Sequence, residues 1–369
     1  MSEHTASVDS GLCPERLQRI HDYIEEKVSS GKLPGAVTLI ERNGKNVYRD
    51  VQGWRDIEKK LPMGEDSIFR IYSMTKIVTS VALLMVYEEG GLDLNDKAGV
   101  YIPAFADHEC TIYDLLRHCG GLDQKHNLEG LLASDHSLES FCDELATLPL
   151  AAEPDTKWIY GYSTDVLARI VEIVSGKSFD VFLQERIFEP LGMKDTGFTL
   201  REDQAERFTV CYQYHQEGKL TVQDPSGPES RFRRENPYLS GSAGLLSSAA
   251  DYMTFCRMLL NKGHYPGGTI LGRKSVDLMT ADHLPVGHPN LEIGIQSFRF
   301  GLGVSVMTDP HRSRSLACKG DFGWGGAAGT QIWISPEENM VVMIMIQVRA
   351  NVPTGIMDHV KRLAYQALV

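Results

Sequence analysis

The chain has 369 residues, 42% of them hydrophobic, and sets 37 Lys and Arg against 49 Asp and Glu for a formal net charge of −12. That length and apolar content suffice for one large domain or two intimate ones. The acidic balance excludes nucleic acid and anionic membrane surfaces as favoured partners and leaves small neutral or hydrophobic molecules as the better substrates.

Along the chain, PERLQRIHDYIEEKVSSG predicts an amphipathic helix, with Pro14 at its start, Leu17, Ile20, Ile24 and Val28 on one face, and Gly31 at its end. GAVTLIERNGKNVYRDVQGW reads as two strands around Asn43-Gly44, a dipeptide suited to tight hairpins. From about residue 96 to 230 helical patterns dominate, among them TIYDLLRH, SLESFCDELATL and STDVLARIVEIVSG. Beyond about residue 240, GLLSSAADYMTFCRMLLNKG supplies a helix with Ser248 and Asp251 spaced as a capping box. TQIWIS and MVVMIMIQV are strands joined by PEEN, and MDHVKRLAYQAL closes the chain as a helix. The expected organisation is an α/β sandwich domain built from residues 1–95 and 231–369, with residues 96–230 inserted as a mainly helical subdomain.

The opening MSEHTASVDSGLCPERLQ lacks the apolar core of a secretion signal. Seven cysteines without a close C-x-x-C pair read as separate reduced thiols, so a cytoplasmic location is expected. The runs IVTSVALLMVY and VVMIMIQV fall short of the roughly 18 to 20 residues a spanning helix needs, and no membrane span is expected.

Two segments place a serine three residues before a lysine. In VSSGK, Ser29 lies at the C-terminal end of the first helix, where free carbonyls and the helix dipole repel an oxyanion; Lys32 there is a dipole partner. In IYSMTKIVTS, Ser73 begins a helix, where free N–H groups favour a developing oxyanion, and Lys76 lies one turn on the same face. The apolar residues that follow imply a buried helix, and burial disfavours an ammonium, as a lysine acting as a base requires. Spacing and context alone divide evenly between this reading and a serine that merely caps the helix.

Two further segments bear on the choice. In WIYGYSTDVLARIVEIVSG, Ser163 can cap the helix, Tyr162 can pack on Leu167 as a hydrophobic staple, and Tyr160 is free to enter a cleft and shuttle a proton. GDFGWGGAAGTQIWIS is a glycine-rich run leading into a strand. Its glycines permit close approach of a ligand or another backbone, and the alternative is a bulge at a sheet edge.

YSMTK, PDTKWIYGYSTD and WGG before a late strand together resemble the serine β-lactamase and penicillin-binding-protein superfamily, in its class C-like esterase branch, the family VIII carboxylesterases. The phrases LLRHCGGL, SGKSFDVFLQERIFEPLGMKDTGF and SGSAGLLSSAADYMTF extend the resemblance over nearly the whole chain, in the expected order. It implies an α+β, β-lactamase-like fold: an antiparallel sheet flanked by helices, a mostly helical subdomain, and an active site between them. It also implies Ser73 as the acylated nucleophile, Lys76 as its base and Tyr160 as the proton carrier to the leaving group. The N–H groups of Ser73 and Ala327 would form the oxyanion hole, and Trp324, Gly325 and Gly326 would stand at the third motif. Trp158 and Asp165 flank Tyr160 as in the esterase branch, which favours it over Tyr162. Two departures stand out. Trp324 replaces the Lys or His usual in lactamases, which weakens anion recognition and favours an apolar group; Tyr162 replaces an asparagine common two residues after the tyrosine.

Other features have blander readings. SGSAG at residues 240 to 244 imitates the G-x-S-x-G elbow but has no good strand before it, so Ser242 is read as part of a turn at the cleft edge. DHEC at residues 107 to 110 is a polar turn, because four consecutive side chains cannot converge on one ion. His118 is expected to bind a carbonyl at a helix end. The resulting expectation is a serine hydrolase acting on a small-molecule carboxylic ester through an acyl-enzyme, with no metal or other cofactor. The alternatives are a β-lactamase or D-amino-acid amidase, an acyltransferase on the same site, and a non-catalytic binding protein.

Overall fold

The computed structural model describes residues 11–123, 136–215, 218–284, 298–349 and 355–369. Helix α1 (Pro14–Ser29) leads into strands β1 (Gly35–Arg42) and β2 (Lys45–Asp56), joined at Asn43 and Gly44, whose φ values of 53° and 72° are those a two-residue hairpin demands. The predicted helix and hairpin therefore form where the punctuation residues stand.

An eight-stranded antiparallel sheet organises the fold. Its strands are β1, β2, β3 (Leu61–Pro62), β4 (Phe298–Phe300), β5 (Ser305–Met307), β6 (Phe322–Gly325), β7 (Gln331–Ser335) and β8 (Met340–Met345), in the order β4-β5-β6-β7-β8-β1-β2-β3. Chain segments from both ends thus meet at the pairing of β1 with β8, where Val37 lies opposite Met345 and Ile40 opposite Val342.

The unbroken apolar run of β8 follows from burial on both faces. Val341, Met343 and Met345 point into one core; Met340, Val342 and Ile344 point into the other. On the second face lie α1 and the closing helix, with Ile20 and Val360 in the same cluster. On the first lies the helix Thr75–Glu88, buried at every residue from Thr75 to Val86, as its all-round apolar sequence requires. It packs with Ser163–Ser175 and Ala249–Leu260, whose Val166, Leu167, Met253 and Phe255 join the same core. This is the expected α+β arrangement, an antiparallel sheet between helices.

Some local details differ from expectation. Ser163 is already inside its helix with its Oγ unpartnered among the described residues; Tyr162 occupies the cap position and packs edge-on against Phe141. Ser248 does cap, accepting from the Asp251 N–H at 3.3 Å. Asp251 turns instead to the Asp195 N–H and the Thr196 hydroxyl, at 2.7 and 3.0 Å, so it ties the helix to a neighbouring loop. WGG does not merely lead into a strand: residues 322–325 are β6, paired in regular register with β7 between two neighbours. All seven cysteines are free thiols, and no helix among the described residues is long and apolar enough to cross a membrane.

Candidate active site

The segment before the buried helix α2 (Thr75–Glu88) does not simply start that helix. Tyr72–Met74 forms a single 3₁₀ turn, so Ser73 stands ahead of the α-helix and Lys76 is the helix's second residue. The shift has a cause in Tyr72, whose φ of 43° is left-handed and keeps this residue out of the α-helix that follows. A bulky residue held there costs roughly 1–3 kcal/mol and persists only where its surroundings enforce it. Tyr72 is packed with Cys211 and Ala328, and the Arg349 guanidinium lies 5.3 Å from its ring centroid.

Lys76 is only 1% exposed, and its Nζ donates to the carbonyl of Ser242 at 3.0 Å. That carbonyl belongs to SGSAG, which is a turn at the base of the cleft. Asp165, fully buried in the first turn of the helix Ser163–Ser175, holds the turn in place. Its Oδ1 accepts from the Tyr238 hydroxyl, the Ser240 hydroxyl and the Ser242 N–H at 3.0, 2.8 and 3.2 Å. Thr79, one turn after Lys76, adds a bond to the Gly241 carbonyl at 2.7 Å. A buried carboxylate and a helix hydroxyl thus aim a backbone oxygen at the lysine.

Tyr160 covers the same ammonium, with Lys76 Nζ 4.6 Å from its ring centroid. The tyrosine is held by aromatic neighbours: the ring centroids of Trp158, Trp324 and His118 lie 5.8, 5.6 and 4.8 Å away. The Trp324 indole N–H donates to the Tyr160 hydroxyl at 3.3 Å. Tyr162 is directed elsewhere, into a separate cavity of about 90 Å³ that also meets Tyr238 and Ser242.

The turn after β6 closes the site against the serine loop. A Cβ on Gly326 would lie 2.3 Å from the Ile71 carbonyl oxygen, so only glycine permits this approach. Thr330 Oγ1 donates to the same oxygen at 3.3 Å. The contact brings Gly325, Gly326 and Ala327 beside Ser73 on one cavity of about 370 Å³, together with Tyr160 and Trp324. Ser73, Tyr160, Ala327 and the WGG segment therefore share one cavity, and Lys76 lies directly behind Tyr160.

His118 departs from its expected role. Its backbone adopts φ 57°, its ring packs among Trp158, Tyr160 and Phe300, and its Nδ1 has no partner among the described residues. Burial, reinforced by the nearby Lys76 charge, holds the imidazole well below its ordinary pKa. DHEC is a turn whose members diverge: His108 Nε2 meets the Ala146 carbonyl at 2.9 Å while Glu109 pairs with Lys97 at 2.6 Å. Phe298, Trp333 and Asp358 also line the main cavity. No spacing motif marks them, since they converge only through the sheet and the closing helix.

Comparison with known proteins agrees with this geometry. A family model described as Beta-lactamase matches residues 20–366, and the chain belongs to that family. The chain is 32% identical to Protein Rv1367c of Mycobacterium tuberculosis (strain ATCC 25618 / H37Rv), over 88% of each chain. It is 28% identical to Esterase EstB of Burkholderia gladioli, over 92% of this chain and 91% of that one. Among solved structures it resembles EstCE1, described as a hydrolase with promiscuous acyltransferase activity, with a TM-score of 0.80 at 24% identity, covering 96% of this chain and 98% of that one. The chain is thus a β-lactamase-like member of a serine hydrolase family with esterase and acyltransferase neighbours.

Proposed function

We propose that the protein is a carboxylesterase that hydrolyses small esters through a Ser73 acyl-enzyme. The observation that carries this reading is the single cavity in which Ser73 and the Tyr160 hydroxyl meet, with Lys76 buried against the Tyr160 ring. Ser73 Oγ adds to the ester carbonyl while Lys76 takes its proton, and the N–H groups of Ser73 and Ala327 receive the oxyanion. Tyr160 passes a proton to the departing alcohol oxygen, and water, deprotonated through the same pair, then releases the acid. The esterase relative supports the choice of ester over amide. So does the cavity wall, where Trp324 stands and no Lys or Arg is among the described lining residues.

Because a second alcohol can replace water at the acyl-enzyme, acyl transfer is the adjacent activity, and EstCE1 is a structural neighbour described with both. Free thiols throughout the chain support a reducing, cytoplasmic setting. The test is turnover of p-nitrophenyl esters of graded chain length, with mass detection of the acylated peptide. An acyl adduct on the peptide containing Ser73, trapped by acid quench during turnover, is expected, and full activity in Ser73→Ala would sink the proposal.

A further inference from the structure

Resting on the ester-hydrolase reading, we propose that the cavity beside Ser73 selects esters whose alcohol carries a positively charged ammonium group. The cavity has an unusual balance of charge and aromatic surface. Among the described residues that line it, Asp358 is the one charged side chain, and it has no ion pair within 4.0 Å among them. It sits in the first turn of the closing helix (Ile356–Tyr365), beside the positive end of the helix dipole. Trp324, Trp333, Phe298 and Tyr160 line the same cavity, and aromatic ring faces attract a cation and pack equally well on its alkyl groups.

A cation already lies near this wall, and Asp321 is the carboxylate that faces it most closely. Lys361 is buried behind the rings, its Nζ 5.2 Å from the Phe298 centroid and 5.8 Å from that of Trp333. It faces Asp321 at 4.0 Å, and both groups are almost wholly enclosed. Burial also pulls the Lys361 ammonium below its ordinary pKa. Lys361 is attracted by Asp321 and, more weakly, by Asp358, whose own side chain is exposed at the cavity. The overall charge of −12 adds a field that draws cations toward the protein.

The alcohol end is assigned by Tyr160. Its hydroxyl is held at the Trp324 indole, and it is the group that protonates the departing oxygen. The part of the substrate that leaves must therefore extend past Tyr160 along Trp324, into the space that Asp358 borders.

The experiment compares butyrylcholine with its uncharged carbon isostere, 3,3-dimethylbutyl butyrate, by acid release at constant pH. In wild type kcat/KM for the cationic ester should exceed that for the neutral one by about tenfold. The ratio should fall toward one in Asp358→Asn and in Trp324→Leu, recover in Asp358→Glu, and shrink as salt is raised. A wild-type ratio of one or less, or a ratio unchanged in Asp358→Asn, overturns the proposal. Loss of neutral-ester turnover in Ser73→Ala tests the underlying reading separately: if Ser73 is required and the ratio is still one, only the charge selectivity fails.

Discussion

The two S-x-x-K segments are the same pattern placed at opposite ends of helices. Ser29 ends α1 on the surface, its hydroxyl bonded back to the Glu26 carbonyl at 3.2 Å, and Lys32 lies beyond the last turn. Ser73 precedes α2 at the wall of a cavity, and Lys76 is enclosed beneath a tyrosine ring and a backbone carbonyl. The spacing does no more than put two side chains on one face. Helix polarity, and above all enclosure by distant segments, separates the buried pair from the solvated one.

The strongest way to break this contrast is to delete each hydroxyl. Ser73→Ala should lower p-nitrophenyl butyrate kcat/KM by about a thousandfold or more, and Ser29→Ala should leave it at the wild-type value. Comparable losses in both would remove the distinction. Next come the proposed proton carriers: Lys76→Ala and Tyr160→Phe should each cost about 10²- to 10⁴-fold in kcat, against no change for Lys32→Ala, measured by single-turnover ester cleavage.

A smaller effect tests the contact that only the second segment has. Gly326→Ala places a methyl against the Ile71 carbonyl, so the serine loop and the Ala327 turn must separate. A loss of about 10- to 100-fold in kcat should accompany a destabilisation of about 1–3 kcal/mol in urea unfolding. Unchanged kinetics would show that the turn does not set the geometry around Ser73.

The smallest expected effect is on the pH dependence of stability. His118 titrates well below its ordinary value of 6.5 in the folded protein, so below that pH the unfolded chain binds more protons than the native one. Its contribution is complete above 6.5 and drains as the pH falls toward the depressed folded value. The urea midpoint should therefore drop between pH 7 and pH 5, and His118→Asn should flatten that drop. An equal slope in the variant would place the sensitivity elsewhere.

Much of the architecture is legible in the sequence because local chemistry and tertiary context agree. Asn43-Gly44 needs left-handed backbone, α1 needs one buried face, and the apolar residues of α2 need burial all round; each finds what its sequence demands. The misses share a cause as well. Ser163 has the sequence context of a cap and is the first helical residue, Asp251 leaves its box for Asp195 and Thr196, and His118 exchanges a carbonyl for three aromatic rings. In each case the winning partner is remote or the backbone is shifted by a residue, and neither is encoded in spacing.

The sequence by itself determined the segments that matter: YSMTK, the tyrosine loop and WGG, with the helix and strand signals that surround them. Local steric and hydrogen-bond preferences are enough for that, because they act over a few residues. Only the tertiary structure decided that the Ser242 carbonyl meets Lys76, that Tyr160 rather than Tyr162 faces the cavity, and that Asp358 joins Trp324 on its wall. Those contacts cross the sheet and the helical layer, so they exist only once the two cores have packed and fixed the distances between segments far apart in the chain.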